Sequence, residues 1–104
     1  MSFAPGILKG KSAIVTGGAT GIGAHIVRLL GSLGANVGIV SRKKSNLIAA
    51  ANTFKIDDGI DVEWQVGDVR DPEAMKAVMA SFAEELGGID ILICNAAGNF
   101  ICPT

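Results

Sequence analysis

The sequence predicts an α/β fold, the first half of a doubly wound parallel sheet with its strands in the order 3-2-1-4. Three observations predict it. Short apolar runs of strand length alternate with stretches whose apolar residues recur at helical spacing, the pattern of successive βαβ units. A glycine-rich turn, Gly17 to Gly23, joins the first strand to the first helix. Right-handed crossovers then place strands two and three on one side of strand one and strand four on the other.

Strand one is Ser12-Ala13-Ile14-Val15-Thr16, apolar enough to be buried on both faces. Its helix carries Ile22, Ile26, Leu29, Leu30 and Leu33 as the apolar face, with Gly34 placed to cap the C-terminus. Strand two is Val37-Gly38-Ile39-Val40, running into Ser41-Arg42. The second helix is expected from Asn46 to Phe54, stopping before the turn Asp57-Asp58-Gly59.

Strand three, Val62-Glu63-Trp64-Gln65-Val66, alternates apolar and polar residues as a half-exposed edge strand does. Asp71-Pro72-Glu73 starts a helix with an N-cap acid, proline at the first helical position and an acid near the positive dipole end. Met75, Val78, Met79, Phe82 and Leu86 follow as one apolar stripe, and Gly87-Gly88 ends it. Strand four is Ile89-Asp90-Ile91-Leu92-Ile93-Cys94, opening into Asn95-Ala96-Ala97-Gly98-Asn99-Phe100, and no neighbour is expected on its far side.

At 104 residues, 49% hydrophobic and 18% charged, the chain is too apolar for disorder and suits one core. A net charge of −1 lacks the basic surplus of a nucleic-acid binder, and Arg42-Lys43-Lys44 is the only tight basic run. Cys94 and Cys102 make no disulfide framework, and no Cys/His spacing suits zinc, so the thiols are expected to be reduced and no metal is expected. No signal peptide is evident at the N-terminus, and no apolar run approaches the ~20 residues of a membrane helix. The reading is a soluble intracellular protein that engages neither nucleic acid nor membrane.

The residues that carry chemistry sit where predicted strands end. In Thr16-Gly17-Gly18-Ala19-Thr20-Gly21-Ile22-Gly23 the glycines allow a sharp turn and close approach to a pyrophosphate, and the helix that follows offers free N–H groups. The end of strand two is where an acid would receive a free ribose 2′-OH and a cation a 2′-phosphate. It reads Ser41-Arg42-Lys43, which favours NADP(H) over NAD(H); a solvated basic helix start is the plainer alternative. Asp68-Val69 after strand three can accept from an adenine amino group and flank the ring, or simply close a strand. Cys94-Asn95-Ala96-Ala97-Gly98 can lie against the nicotinamide-side ribose, or serve as a structural strand exit.

Together, Thr16-Gly17-x-x-x-Gly21-x-Gly23, Asp68-Val69 and the Asn95-Ala96 turn resemble the cofactor half of the short-chain dehydrogenase/reductase family, from Lys11 onward. Within that family, Asn95 to Ile101, with Ser41-Arg42-Lys43 and Asp68-Val69-Arg70-Asp71-Pro72, looks like the NADPH-dependent 2,4-dienoyl-CoA reductases, which act in β-oxidation of unsaturated fatty acids. The resemblance implies a Rossmann-like fold and a cofactor site of Gly17, Gly18, Ala19, Thr20, Gly21, Ile22, Gly23, Ser41, Arg42, Lys43, Asp68, Val69, Asn95, Ala96 and Ala97. It also implies an acyl-CoA substrate near Arg70 and Phe100, and a homo-oligomer for the complete enzyme. Arg70 also reads as an exposed residue before an N-cap, and Phe100 as ordinary core. Two positions depart from the common family pattern of two asparagines followed by Ala-Gly: Cys94 stands at the first asparagine and Ala97 at the glycine, the latter as in the dienoyl-CoA reductases.

The family's acid/base is a tyrosine, paired with a lysine one helical turn on, and this sequence contains no tyrosine. His25, the one histidine, is expected on the surface of the first helix. Residues 1–104 are therefore expected to be the dinucleotide-binding part of a larger domain whose catalytic half is absent, inactive alone. Alternatives are a 3-oxoacyl-thioester reductase or another enoyl-CoA reductase of the family, or a catalytically silent NADP-binding or interaction module. The compartment implied is peroxisomal for a eukaryotic source and cytoplasmic for a bacterial one.

Overall fold

In the computed structural model, which describes residues 6–17, 19 and 21–95, strands and helices alternate strictly. The elements are β1 (Ser12–Thr16), α1 (Gly21–Ser32), β2 (Asn36–Ser41), α2 (Lys44–Thr53), β3 (Val62–Val66), α3 (Pro72–Leu86) and β4 (Ile91–Cys94). The four strands form one parallel sheet in the order β3-β2-β1-β4, as expected from right-handed crossovers. Thr16 pairs with Val40 on one side and Cys94 on the other, and Ser41 pairs with Val66, so the C-terminal ends of all four strands share one edge.

The pleat divides the core into two layers. Ala13 and Val15 of β1 and Val37 and Ile39 of β2 point to one face, where they meet Val27 and Leu30 of α1 and Leu47 and Ala50 of α2. Ile14 and Val40 point to the other, against Met75, Val78 and Phe82 of α3. β1 is buried along its whole length, the pattern of a strand covered on both sides. Among the described residues the largest fully buried side chains are Phe54 and Phe82, one in each layer. Each contributes about 1.5–3 kcal/mol by leaving water.

Helix α3 follows its signals closely. The Asp71 carboxylate accepts from the Ala74 N–H at 3.2 Å, Pro72 occupies the first turn, and Gly87 at φ 77 ends the helix left-handed. Strand β4 begins at Ile91 rather than Ile89, because Asp90 is engaged before the ladder starts. Its carboxylate accepts from the Ser12 N–H at 2.9 Å, while its own N–H donates to the Ser12 carbonyl.

Four further expectations need correction. On α1 the face turned to the sheet is Gly23, Val27 and Leu30, whereas Ile22 is 72% and Leu29 51% exposed. The helix must present Gly23 to the turn before it, and that contact rotates the larger residues outward. Helix α2 begins at Lys44, two residues before Asn46, because extended Lys43 offers its carbonyl to the N–H groups of Asn46 and Leu47. Beyond Thr53 the chain continues through a π-helical turn, Phe54–Asp58, that absorbs the expected turn and ends at Gly59 with φ 66. Finally, Cys94 is disulfide-bonded rather than a free thiol. Two cysteines rule out a framework of bridges, but their number says nothing about whether one is paired.

Candidate functional site

The site is assembled from strand ends. Gly17 leaves β1 with φ 68, and its N–H donates to the Val40 carbonyl at 2.9 Å, which ties the turn to β2. Gly21 opens α1 with φ 59, a conformation glycine adopts without steric cost. No acidic residue occupies the first turn of α1, so its N–H groups and positive dipole end are not neutralised from within the helix. At Gly23 a Cβ would overlap the Gly17 carbonyl and approach the Asn95 Nδ2 to 2.7 Å. The turn is therefore a cradle that a side chain at position 23 would fill. These features fit a pyrophosphate held on backbone N–H groups.

Asn95 is reached from β4 through Thr16. The buried Thr16 hydroxyl accepts from the Asn95 N–H at 3.0 Å and donates to the Ile93 carbonyl at 3.4 Å. One side chain thus sets the last residue of β1 against the exit of β4. From the sequence, Thr16 is expected only as the end of strand one and the start of the glycine motif. A hydroxyl ending an otherwise apolar strand was the signal for this second role.

Across the sheet, β2 ends at Ser41, whose carbonyl accepts from the Gly67 N–H at 3.0 Å. That bond places Arg42 beside Asp68. Arg42 and Lys43 are exposed, and among the described residues neither takes part in an ion pair. Val69 is half-buried against the layer formed with α3. Asp68 is gripped by Arg70: Nε donates to Oδ1 at 3.1 Å, Nη2 to Oδ2 at 2.9 Å, and the Arg70 backbone N–H to Oδ1 at 2.9 Å. The side-chain bond from Arg70 and then its backbone bond hold the Asp68 carboxyl down at about 2, with a smaller contribution from the Arg42 charge. Nothing in the residue types of Asp68 and Arg70 alone announces this ion pair.

The structure thus gathers Gly17, Gly21, Gly23, Ser41, Arg42, Asp68 and Asn95 along one edge of the sheet, with Ala19 in the turn, Ile22 exposed on α1 and Lys43 beside Arg42. Gly18, Thr20, Ala96, Ala97 and Phe100 lie outside the described residues. Ligands of open parallel sheets bind at this edge, where crossovers on the two sides of β1 diverge. A cleft of about 200 Å³ between α1 and α2 reaches the turn at Ala19 and is otherwise lined by residues that include Asn46, Ala50 and Phe54. It is smaller than the 300 Å³ or so at which ligand pockets begin.

The sequence pattern of the short chain dehydrogenases matches residues 11–104. The chain is 40% identical to the peroxisomal 2,4-dienoyl-CoA reductase of Rattus norvegicus, over 97% of this chain and 35% of that protein. It is similar in structure to a citronellol catabolism dehydrogenase of Pseudomonas aeruginosa PAO1, with a TM-score of 0.80 and 40% identity over 86% of this chain and 37% of that one. L-Sorbose reductase of Gluconobacter frateurii, solved with NADPH and L-sorbose, matches with a TM-score of 0.80 and 35% identity over 97% of this chain and 38% of that one. The chain spans about a third of the length of the curated relatives it matches.

Proposed function

The chain belongs to the short-chain dehydrogenase family, and from that premise we propose that it forms the NADP(H)-binding part of a 2,4-dienoyl-CoA reductase. The family makes it an oxidoreductase domain for a nicotinamide cofactor and a small-molecule substrate. The choice of NADP(H) is carried by one observation: β2 ends in Ser41 and an exposed Arg42 that makes no ion pair among the described residues, with no acid there to receive a ribose 2′-OH. The relative solved with NADPH supports the same choice.

In this reading Gly17, Gly18, Ala19, Thr20, Gly21, Ile22 and Gly23 hold the pyrophosphate, and Ser41, Arg42 and Lys43 hold the 2′-phosphate. Asp68 accepts from the adenine amino group beside Val69, and Asn95, Ala96 and Ala97 line the ribose next to the nicotinamide. NADPH, when bound, supplies the hydride. The chain's own residues bind and orient. With no tyrosine among the 104 residues, the proton-delivering group expected of the family is not supplied by this stretch of chain, which by itself does not turn over.

The dienoyl-CoA assignment rests on the segment Asn95–Ile101 with Arg70 and Phe100 as substrate contacts, and on the printed name of the rat relative. Overall identity does not carry it, because the citronellol catabolism dehydrogenase is also 40% identical. The compartment that goes with this reading is intracellular, peroxisomal for a eukaryotic source and cytoplasmic for a bacterial one, and the complete enzyme is a homo-oligomer.

Arg42→Ala tests the cofactor reading. Loss of a charge-assisted phosphate contact costs on the order of 2 kcal/mol, or roughly thirtyfold in affinity, for NADPH and little for NADH. Equal loss for both cofactors in a fluorescence titration removes the phosphate role. For the substrate, turnover of NADPH with a 2,4-dienoyl-CoA by the protein containing this chain supports the assignment. Turnover with a 3-oxoacyl thioester instead rejects it.

A further inference from the structure

We infer that Arg70 is a cofactor-selectivity residue: by closing a two-point ion pair on Asp68, it cancels a carboxylate beside Arg42 and so lets that edge of the sheet accept a 2′-phosphate. The inference rests on the reading of Arg42 as the phosphate ligand, and the experiment below separates the two.

The geometry is local and strong. Asp68 to Asp71 form a turn closed by the Asp71 N–H on the Asp68 carbonyl at 2.9 Å, which folds Arg70 back over the carboxylate. Both guanidinium contacts, 3.1 and 2.9 Å, have the lengths of charge-assisted bonds, and a backbone N–H at 2.9 Å completes the grip on Oδ1. The neighbouring strand delivers Arg42 next to this pair, since Gly67 N–H bonds to Ser41 O one residue before each of the two side chains.

Arg42 sits near enough for its charge to add a small contribution, after those of Arg70, to keeping the Asp68 carboxyl ionised. Coulomb interaction is reciprocal, so an anion seated on Arg42 feels Asp68 in return. An uncancelled carboxylate there would repel a phosphate monoester, which carries close to two negative charges at neutral pH. Arg70 supplies the missing positive charge at the shortest possible range. Among other charged groups nearby, Lys43 and Lys44 are exposed beside Arg42, and Asp71 is committed to capping α3.

The pairing leaves Asp68 able to act on adenine. Among the described residues its Oδ2 takes a single donor, which leaves a lone pair for an amino group. Arg70 in turn uses two of its five N–H donors on the carboxylate, so its proposed substrate contact is not displaced. The adenine contact is common to both cofactors, whereas the 2′-phosphate belongs to one. A change at Arg70 therefore shows itself in the ratio of the two affinities, which a merely structural role would not move.

The experiment titrates the protein and its variants with NADPH and with NADH by fluorescence. Arg70→Ala is expected to lower NADPH affinity roughly five- to tenfold while changing NADH affinity less than about twofold. Arg70→Lys recovers part of the preference through a single charged contact. Asp68→Asn in the Arg70→Ala background restores the preference to near its original value, because the carboxylate that Arg70 cancels is gone. Equal loss for both cofactors in Arg70→Ala, no change at all, or a preference that the double variant fails to restore overturns the inference. If Arg42→Ala weakens both cofactors equally, or the unsubstituted protein binds neither, the underlying phosphate reading fails instead. The Arg70 side chain is 67% exposed, so these substitutions leave the fold intact, which circular dichroism of each variant confirms.

Discussion

Gly23 is packed directly against Asn95: a Cβ on Gly23 would stand 2.7 Å from the Asn95 Nδ2 and overlap the Gly17 carbonyl. The first turn of α1, the turn before it and the exit of β4 therefore meet at one point. The same point is fixed from below by the Thr16 hydroxyl, which holds the Asn95 N–H. The turn proposed to cradle a pyrophosphate and the residue proposed to line the nicotinamide-side ribose thus share a single mechanical support.

Gly23→Ala forces that support apart. The nearest obstacle is backbone, which cannot swing aside as a long side chain does, so a cost of about 3 kcal/mol is expected. Gly21→Ala is the control. Among the described residues nothing beyond its chain neighbours and its own helix backbone lies within 4 Å of its Cβ position, but its φ of 59 disfavours alanine, at a cost of roughly 1–2 kcal/mol. Urea unfolding of the two variants ranks them, and a milder effect at position 23 than at 21 contradicts the packing described here.

Thr16→Val keeps the shape and removes the hydroxyl. The Asn95 N–H then loses its acceptor and the Ile93 carbonyl a donor in a part-buried place, which costs about 1–3 kcal/mol. Thr16→Ser retains both bonds. Amide exchange at Asn95 is expected to accelerate in the valine variant and stay slow in the serine variant; equal exchange in both means the hydroxyl does not hold β4.

The parts of this fold legible in the sequence are those that local chemistry determines. β1, β3 and α3 stand where apolar period, N-cap acid, proline and glycine place them. The strand order followed from handedness alone. What was misread depends on contacts between elements. Hydrophobic spacing put Ile22 and Leu29 on the inner face of α1, yet the contact of Gly23 with Gly17 decides which face is inner, and a glycine carries no hydrophobic signal. Helix α2 starts from Lys43, which makes no side-chain cap bond, so nothing in the residue type announced it. At the site, each strand end was recognisable as a candidate, but Arg70 folding onto Asp68 is a property of the turn geometry between them.

Gly38→Ala probes the second layer. A Cβ there would lie 2.7 Å from Phe82 Cε1 and 2.8 Å from Ile14 Cδ1, so β2 is left bare where the Phe82 ring rests. The obstacles are side-chain ends in a closed core, and about 2 kcal/mol of destabilisation is expected. Phe82→Leu removes the ring edge and opens space above position 38. The double variant is therefore expected to be less destabilised than the sum of the two single changes, by more than about 0.5 kcal/mol in a double-mutant cycle. Simple additivity means that Phe82 does not rest on Gly38.

The Asp68 carboxyl sets a pH dependence whose direction follows from its partners. Bonding to Arg70, aided by the Arg42 charge, lowers it from 3.8 to about 2, so the folded protein favours the ionised form more than the unfolded chain does. The resulting stabilisation is present above pH 4 or so and is lost as pH falls through about 2. Because the pair is exposed, the change in stability is small, and the titration itself is the better observable. Carboxylate NMR is expected to place the Asp68 midpoint near 2 in the unsubstituted protein and to move it up toward 3.8 in Arg70→Ala, with Arg42→Ala producing a smaller rise in the same direction. A midpoint unmoved by Arg70→Ala shows that the guanidinium does not grip the carboxylate in solution. A larger rise from Arg42→Ala reverses the order of the two arginines around Asp68.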